Sequence, residues 1–189
     1  EDDALLALAR TAFDADPVRA PKVEPRVTSA RYAASRRGAP QTGPGHVTVV
    51  TCMKNEGPFI LEWLAFHRAI GIERFLVYSN DCTDGTDRML DLLQACGLVE
   101  HRDNPYRQTG QRPQHAAFLA AEDEPLVAGA DWLLCMDVDE FVNIHVGAGR
   151  IGDLFAAIGE ANMISMTWRL FGNADVAAFA DLPVTRQFP

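Results

Sequence analysis

The chain has 189 residues, 48% of them hydrophobic, enough for one domain with a sizeable core and too few for two full domains. Its formal charge is −9, and from His46 onward 10 Lys and Arg face 20 Asp and Glu, so the acid belongs to the folded part and nucleic acid is excluded as an expected partner. No apolar run approaches the ~20 residues of a membrane helix, no signal peptide is visible, and Cys52, Cys82, Cys96 and Cys135 lack metal-binding spacing, which predicts reduced thiols and a cytoplasmic protein, at most peripheral to a membrane.

In chain order, residues 1–45 read as an amphipathic helix carrying Leu5, Leu6, Leu8, Ala9 and Phe13, then a proline-rich arm through Pro17, Pro21, Pro25, Pro40 and Pro44. From His46 the texture changes to alternating strand and helix, and residues 46–189 form the expected folded domain. The β-branched run His46–Cys52 predicts a first strand. Pro58 suits the first turn of a helix with Phe59, Trp63, Phe66 and Ile70 on one face, ended by Gly71. Arg74–Ser79 is a second strand, Thr86–Cys96 a helix closed by Gly97, and Leu98–Arg102 a third strand. Residues 113–122 read as helical, Trp132–Met136 as a buried fourth strand, Ile151–Ala161 as a helix and Met163–Leu170 as a fifth strand. The missing initial Met and the turn-like stretch at Pro189 predict a piece of a longer chain.

This order implies an α/β fold, a mostly parallel central sheet with helices on both faces and a Rossmann-like nucleotide-binding half. Ligands bind such sheets outside the carboxyl ends of the strands. The polar clusters obey that rule: Lys54-Asn55-Glu56 follows strand one, Asn80-Asp81-Cys82-Thr83-Asp84 strand two, Asp103-Asn104 strand three, and Asp137-Val138-Asp139-Glu140 strand four. If the backbone stays extended there, Asp137 and Asp139 converge while Val138 turns into the core, and two hard carboxylates suit a magnesium- or manganese-like ion with open positions. Neither GxGxxG nor GxxxxGK[ST] follows strand one, which removes dehydrogenase and P-loop readings. Arg107, Gln111 and Arg112 lie in the loop after strand three, so nucleoside-diphosphate chemistry fits the set.

Four ordered motifs, Val50 to Glu56, Asn80 to Thr86, Met136 to Phe141 and Trp168 to Gly172, resemble those of family 2-like glycosyltransferases with the GT-A fold. The resemblance implies a nucleoside-diphosphate sugar donor with UDP favoured, a glycan or lipid-linked acceptor, Mn2+ or Mg2+, and inversion at the sugar carbon. It makes Thr51, Asn55 and Glu56 the first nucleotide motif, adds Asn80 and Asp84, and gives Asp137 and Asp139 to the metal and diphosphate, while Asp81, Gln111 and Arg112 join the nucleotide-sugar site from their place on the rim. Asn80 stands where relatives often carry an aspartate. The proton-accepting base is left among Glu140, Asp175 and Asp181, with Glu140 also read as a brace of its loop. A catalytically degenerate binding module and a sugar-phosphate nucleotidyltransferase are the alternative readings.

Overall fold

A computed structural model describes residues 45–173, 175–178 and 180–188. The predicted N-terminal helix and the proline-rich arm to Pro44 lie outside the described residues. Two compact units divide the rest, one spanning His46–Val142 and a second containing the residues from Asn143 onward.

The first unit is built on a parallel sheet of β1 (Val47–Met53), β2 (Arg74–Ser79), β3 (Glu100–Asp103) and β4 (Trp132–Cys135) in the order β3-β2-β1-β4. Its longer helices are α1 (Gly57–Ala69), α2 (Thr86–Ala95) and α4 (Pro113–Ala121), and its one-turn helices are α3 (Tyr106–Thr109) and α5 (Pro125–Ala128). The α/β class with a parallel sheet flanked by helices is therefore as expected.

Alternation along β2 assigns the helices to faces. Phe75 meets the Trp63 ring of α1 edge-on at 5.5 Å, and on that same face Ser79 bonds His101 of β3, whose other ring nitrogen lies 2.8 Å from Asp91 of α2. Leu76 and Tyr78 point the other way, into a cluster with Val50, Ala117 and Ala121 of α4, flanked by Leu126 and Val127 of α5. Burial of this kind stabilises by about 25 cal/mol per Å2 of apolar surface, which is why the sheet's two central strands are the driest part of the unit. Thr51 is fully buried in β1, and its hydroxyl has no hydrogen-bond partner among the described residues.

Two sequence expectations are corrected. Among the described residues strand four is an edge of the sheet rather than a buried strand: β4 pairs there with β1 alone, and Leu133 and Cys135 are exposed on it. Residues 163–170 form no strand. Their alternating pattern fits a half-buried strand, yet Trp168 and Leu170 are 76% and 86% exposed; a two-residue period yields a strand only where a neighbour supplies hydrogen bonds. The second unit carries α6 (Ile151–Ile158), whose first turn is closed by Asp153 accepting from the Ala148 and Arg150 N–H groups, and the one-turn α7 (Val184–Gln187).

Candidate active site at the carboxyl ends of the strands

The chain reverses its winding between β1 and β4: β1 is followed outward by β2 and β3, and β4 then pairs on the opposite side of β1. In open α/β sheets this switch point opens a crevice beyond the strand ends. Glu56, three residues past β1, and Asp137, two past β4, flank it.

The acidic stretch is a turn rather than extended backbone. Glu140 N–H bonds the Asp137 carbonyl at 3.2 Å, and the Glu140 carboxylate accepts the Asp137 N–H at 3.0 Å. This double closure leaves Asp137 and Asp139 exposed on either side of buried Val138. The predicted alternation in exposure is present, and its cause is the turn. Gln114 of α4 donates to Asp137 Oδ1 at 3.3 Å. Behind the turn, Phe141 stacks on His67 of α1 with ring centroids 5.9 Å apart, and Val142 N–H donates to His67 Nε2 at 3.3 Å.

Glu56 closes the acidic set. Burial, followed by the charges of Asp139, Asp84 and Asp137, raises its pKa above the ordinary carboxylate value. The first and last strand loops therefore share one negative field.

The loops after β1 and β2 are sewn together by side chains that the sequence assigned to a ligand. Asn55, at φ 59, accepts the Thr83 N–H on Oδ1 at 2.7 Å; the left-handed backbone is one that Asn tolerates. Asp84 accepts the Thr86 N–H at 2.9 Å, the Thr86 hydroxyl at 2.7 Å and the Gly57 N–H at 3.2 Å, and the Thr86 hydroxyl accepts the Glu56 N–H at 2.8 Å. These bonds, the Thr86 hydroxyl's foremost, hold the Asp84 carboxyl below its usual range. Asp81, at φ 50, takes bonds from the Tyr106 hydroxyl and from Arg107 at 2.7 Å, which also lower its pKa.

Asn80 Oδ1 receives the Cys52 thiol at 3.4 Å and the Asn104 amide at 3.3 Å. Gln111 and Arg112 are exposed where α4 begins. Among the predicted residues, then, Glu56, Asp84, Asp137 and Asp139 share one rim, Asn80 and Asp81 stand on the adjoining loop, and Thr51 is sealed inside the sheet. Asp175 and Asp181 lie exposed in the second unit.

Sequence placed Asn104 on the rim only as part of the polar pair after strand three, without a role, and Tyr106 and Gln114 were not assigned to the site. Each works through a contact across 23 residues or more of chain, as Gln114 to Asp137 and Asn104 to Asn80 show. The one available signal was the Asn-Pro pair at the end of strand three.

Among the described residues, no group of three or more His, Cys, Asp or Glu side chains forms a ready-made metal cage. A magnesium-like ion seldom needs one, since it keeps waters and is held by one or two carboxylates together with substrate phosphates. Asp137 and Asp139 are exposed and carry hard oxygen donors of the kind such an ion takes.

A parallel sheet flanked by helices, its acidic turn at the switch point, is a GT-A-like arrangement. Residues 47–181 match the family model described as Glycosyltransferase family 92, and the chain belongs to that family. A glycosyltransferase family 92 protein of Ricinus communis is 29% identical over 108 residues, covering 55% of this chain and 18% of its own length. One of Arabidopsis thaliana is 32% identical over 95 residues, 49% and 16% of the two chains, and one of Oryza sativa subsp. japonica 27% over 99 residues, 50% and 16%. The matched stretch thus spans under a fifth of these relatives' length. No solved structure matches the chain. Glycosyltransferase is the level at which the motif resemblance and the family agree. No helix among the described residues is long and apolar enough to cross a membrane.

Proposed function

We propose that this chain carries the donor-binding part of a glycosyltransferase that moves a hexose-like sugar from a nucleoside diphosphate, UDP favoured, to a glycan or lipid-linked acceptor. The reaction inverts the sugar carbon and uses Mn2+ or Mg2+ held by Asp137 and Asp139. The observation that carries this reading is the pairing of β1 with β4, which brings Glu56 and the exposed Asp137-Val138-Asp139 turn to one negative rim at the switch point. The ordered motifs that resemble family 2-like enzymes, and the family 92 membership, support the same reading.

When bound, the divalent ion would offset charge on the departing nucleoside diphosphate. The chain's residues prepare the site for that event. Gln114 orients the Asp137 carboxylate and Glu140 fixes the turn, while Asn55, Asp84 and Thr86 lock the loops after β1 and β2 so that little order is lost on binding. Exposed Lys54 and Arg112 suit phosphate oxygens. Glu140 is committed to the Asp137 N–H, so we assign it to the loop and take Asp175 and Asp181 as the carboxylates to mutate in search of the base.

The test is nucleotide release from a panel of nucleotide sugars, with and without Mn2+ and with simple glycan acceptors. Metal-dependent release of UDP is expected. Metal-dependent binding without turnover would favour the degenerate binding module, and metal-independent binding would refute the metal site.

A further inference from the structure

Asn104 joins the sheet to the start of α4. Its N–H donates to the Ser79 carbonyl at the end of β2 at 2.9 Å, which fixes the residue to the strand ends, and it is 8% exposed. Its amide is oriented by two main-chain groups whose roles cannot be exchanged. Oδ1 faces the Tyr106 N–H at 3.1 Å, which only donates, and Nδ2 faces the Pro113 carbonyl at 2.9 Å, which only accepts. A flip would set donor against donor and acceptor against acceptor in a buried place. The same Nδ2 also reaches Cys52 Sγ at 3.1 Å and Asn80 Oδ1 at 3.3 Å, so three acceptors hold the amide in one setting.

Pro113 is the first residue of α4, and that helix start has no side-chain cap of its own. Arg112 at the N-cap makes no capping bond, and Pro113 brings no N–H. Farther along, Ala117 and Ala121 are buried against the sheet, which anchors the body of the helix. The side-chain bond that reaches its first turn comes from Asn104. The next residue, Gln114, is exposed and donates to Asp137 Oδ1 at 3.3 Å. Asp137 Oδ2 takes no bond among the described residues, so the carboxylate is held by one oxygen and offers the other. A chain of contacts therefore runs from the end of β2 through Asn104 and Pro113 to Gln114 and the acidic turn.

We propose that Asn104 is a positioning residue for Asp137, setting the start of α4 so that Gln114 presents the Asp137 carboxylate to the divalent ion. The inference rests on the metal reading above. Groups that orient a metal's ligands from behind contribute about tenfold or more to its affinity.

The test measures Mn2+ affinity by electron paramagnetic resonance with saturating UDP on the full chain, for the parent, Gln114→Ala, Asn104→Ala and the double variant. Gln114→Ala should weaken Mn2+ binding by about tenfold. Asn104→Ala should weaken it comparably, and the double variant no further than either alone, because both changes break one chain of contacts. A purely structural role for Asn104 would give no such coupling. Asn104→Ser guards against misfolding: its hydroxyl can keep the turn bond from the Tyr106 N–H, but it lacks the amide that reaches Pro113, so it should show the same loss. Circular dichroism identifies the folded variants. Parental Mn2+ affinity in Gln114→Ala or in a folded Asn104 variant, or losses that add in the double variant, would overturn the proposal while leaving the metal reading intact. Unfolding of both Asn104 variants would overturn it too, by making Asn104 a residue that the fold itself needs. A parent that binds no Mn2+ would overturn the metal reading and the proposal together.

Discussion

His67 provides a test of how the acidic turn is held in place. It is fully buried in α1, with Nδ1 2.8 Å from the Trp63 carbonyl and Nε2 accepting the Val142 N–H. Nδ1 therefore carries the proton of a neutral ring, and a second proton on Nε2 would point at the Val142 N–H. Burial accordingly lowers the His67 pKa from 6.5 to about 4, partly opposed by the bond to Trp63. Below pH 6.5 the unfolded chain binds this proton and the folded chain does not, so folding stability falls as pH falls and levels off only below about 4. At ~1.4 kcal/mol per pH unit, the loss from this one group is about 2 kcal/mol at pH 5 and about 3 kcal/mol at pH 4. Urea denaturation of the parent and of His67→Gln between pH 7 and pH 4.5 isolates it. The substitution should cost about 1–2 kcal/mol at pH 7 through its buried hydrogen bonds, and the cost should shrink toward pH 5 as the parent loses its histidine contribution. Parallel pH profiles for the two proteins would refute the neutral, buried His67.

Thr86→Val should cost about 1–2 kcal/mol by urea denaturation, since a fully buried hydroxyl that both accepts from Glu56 and donates to Asp84 is lost; an unchanged midpoint would remove Thr86 from the bracing of the loops. Glu140→Ala should lower sugar-transfer kcat/KM by about tenfold or less through a loosened turn, whereas a fall of about 100-fold or more with KM unchanged would make Glu140 a proton-transfer group. All four cysteines are free, so reductant should leave the melting temperature unchanged; a large drop that Cys52→Ser/Cys82→Ser reproduces would reveal a bond between them.

The sheet was legible because its strands obey local rules. β-branched runs bounded by Gly and polar turns gave β1 and β2 to within a residue, and Pro58 with the Trp63 and Phe66 spacing gave α1. Where tertiary pairing decides the outcome the signal ran out: Met163–Leu170 has a strand pattern without a paired neighbour, and β4 is apolar in sequence yet half exposed at the sheet edge. At the rim, sequence identified the acidic loops but not the division of labour within them. Asn55 and Asp84 carry ligand-like chemistry, yet Asn55 accepts a backbone N–H of the neighbouring loop and Asp84 accepts one from its own loop and one from the neighbouring loop. Asn104 and Gln114 act on strands or loops distant in sequence, which no periodicity records.

The most direct test of the account is UDP affinity measured by calorimetry with and without Mn2+ for the parent and for the double substitution Asp137→Ala/Asp139→Ala. Both side chains are exposed, so the variant should fold as the parent does, and it should lose the metal-dependent part of UDP binding entirely. Mn2+-enhanced UDP binding that persists at parental strength in the folded double variant would contradict the assignment of the acidic turn.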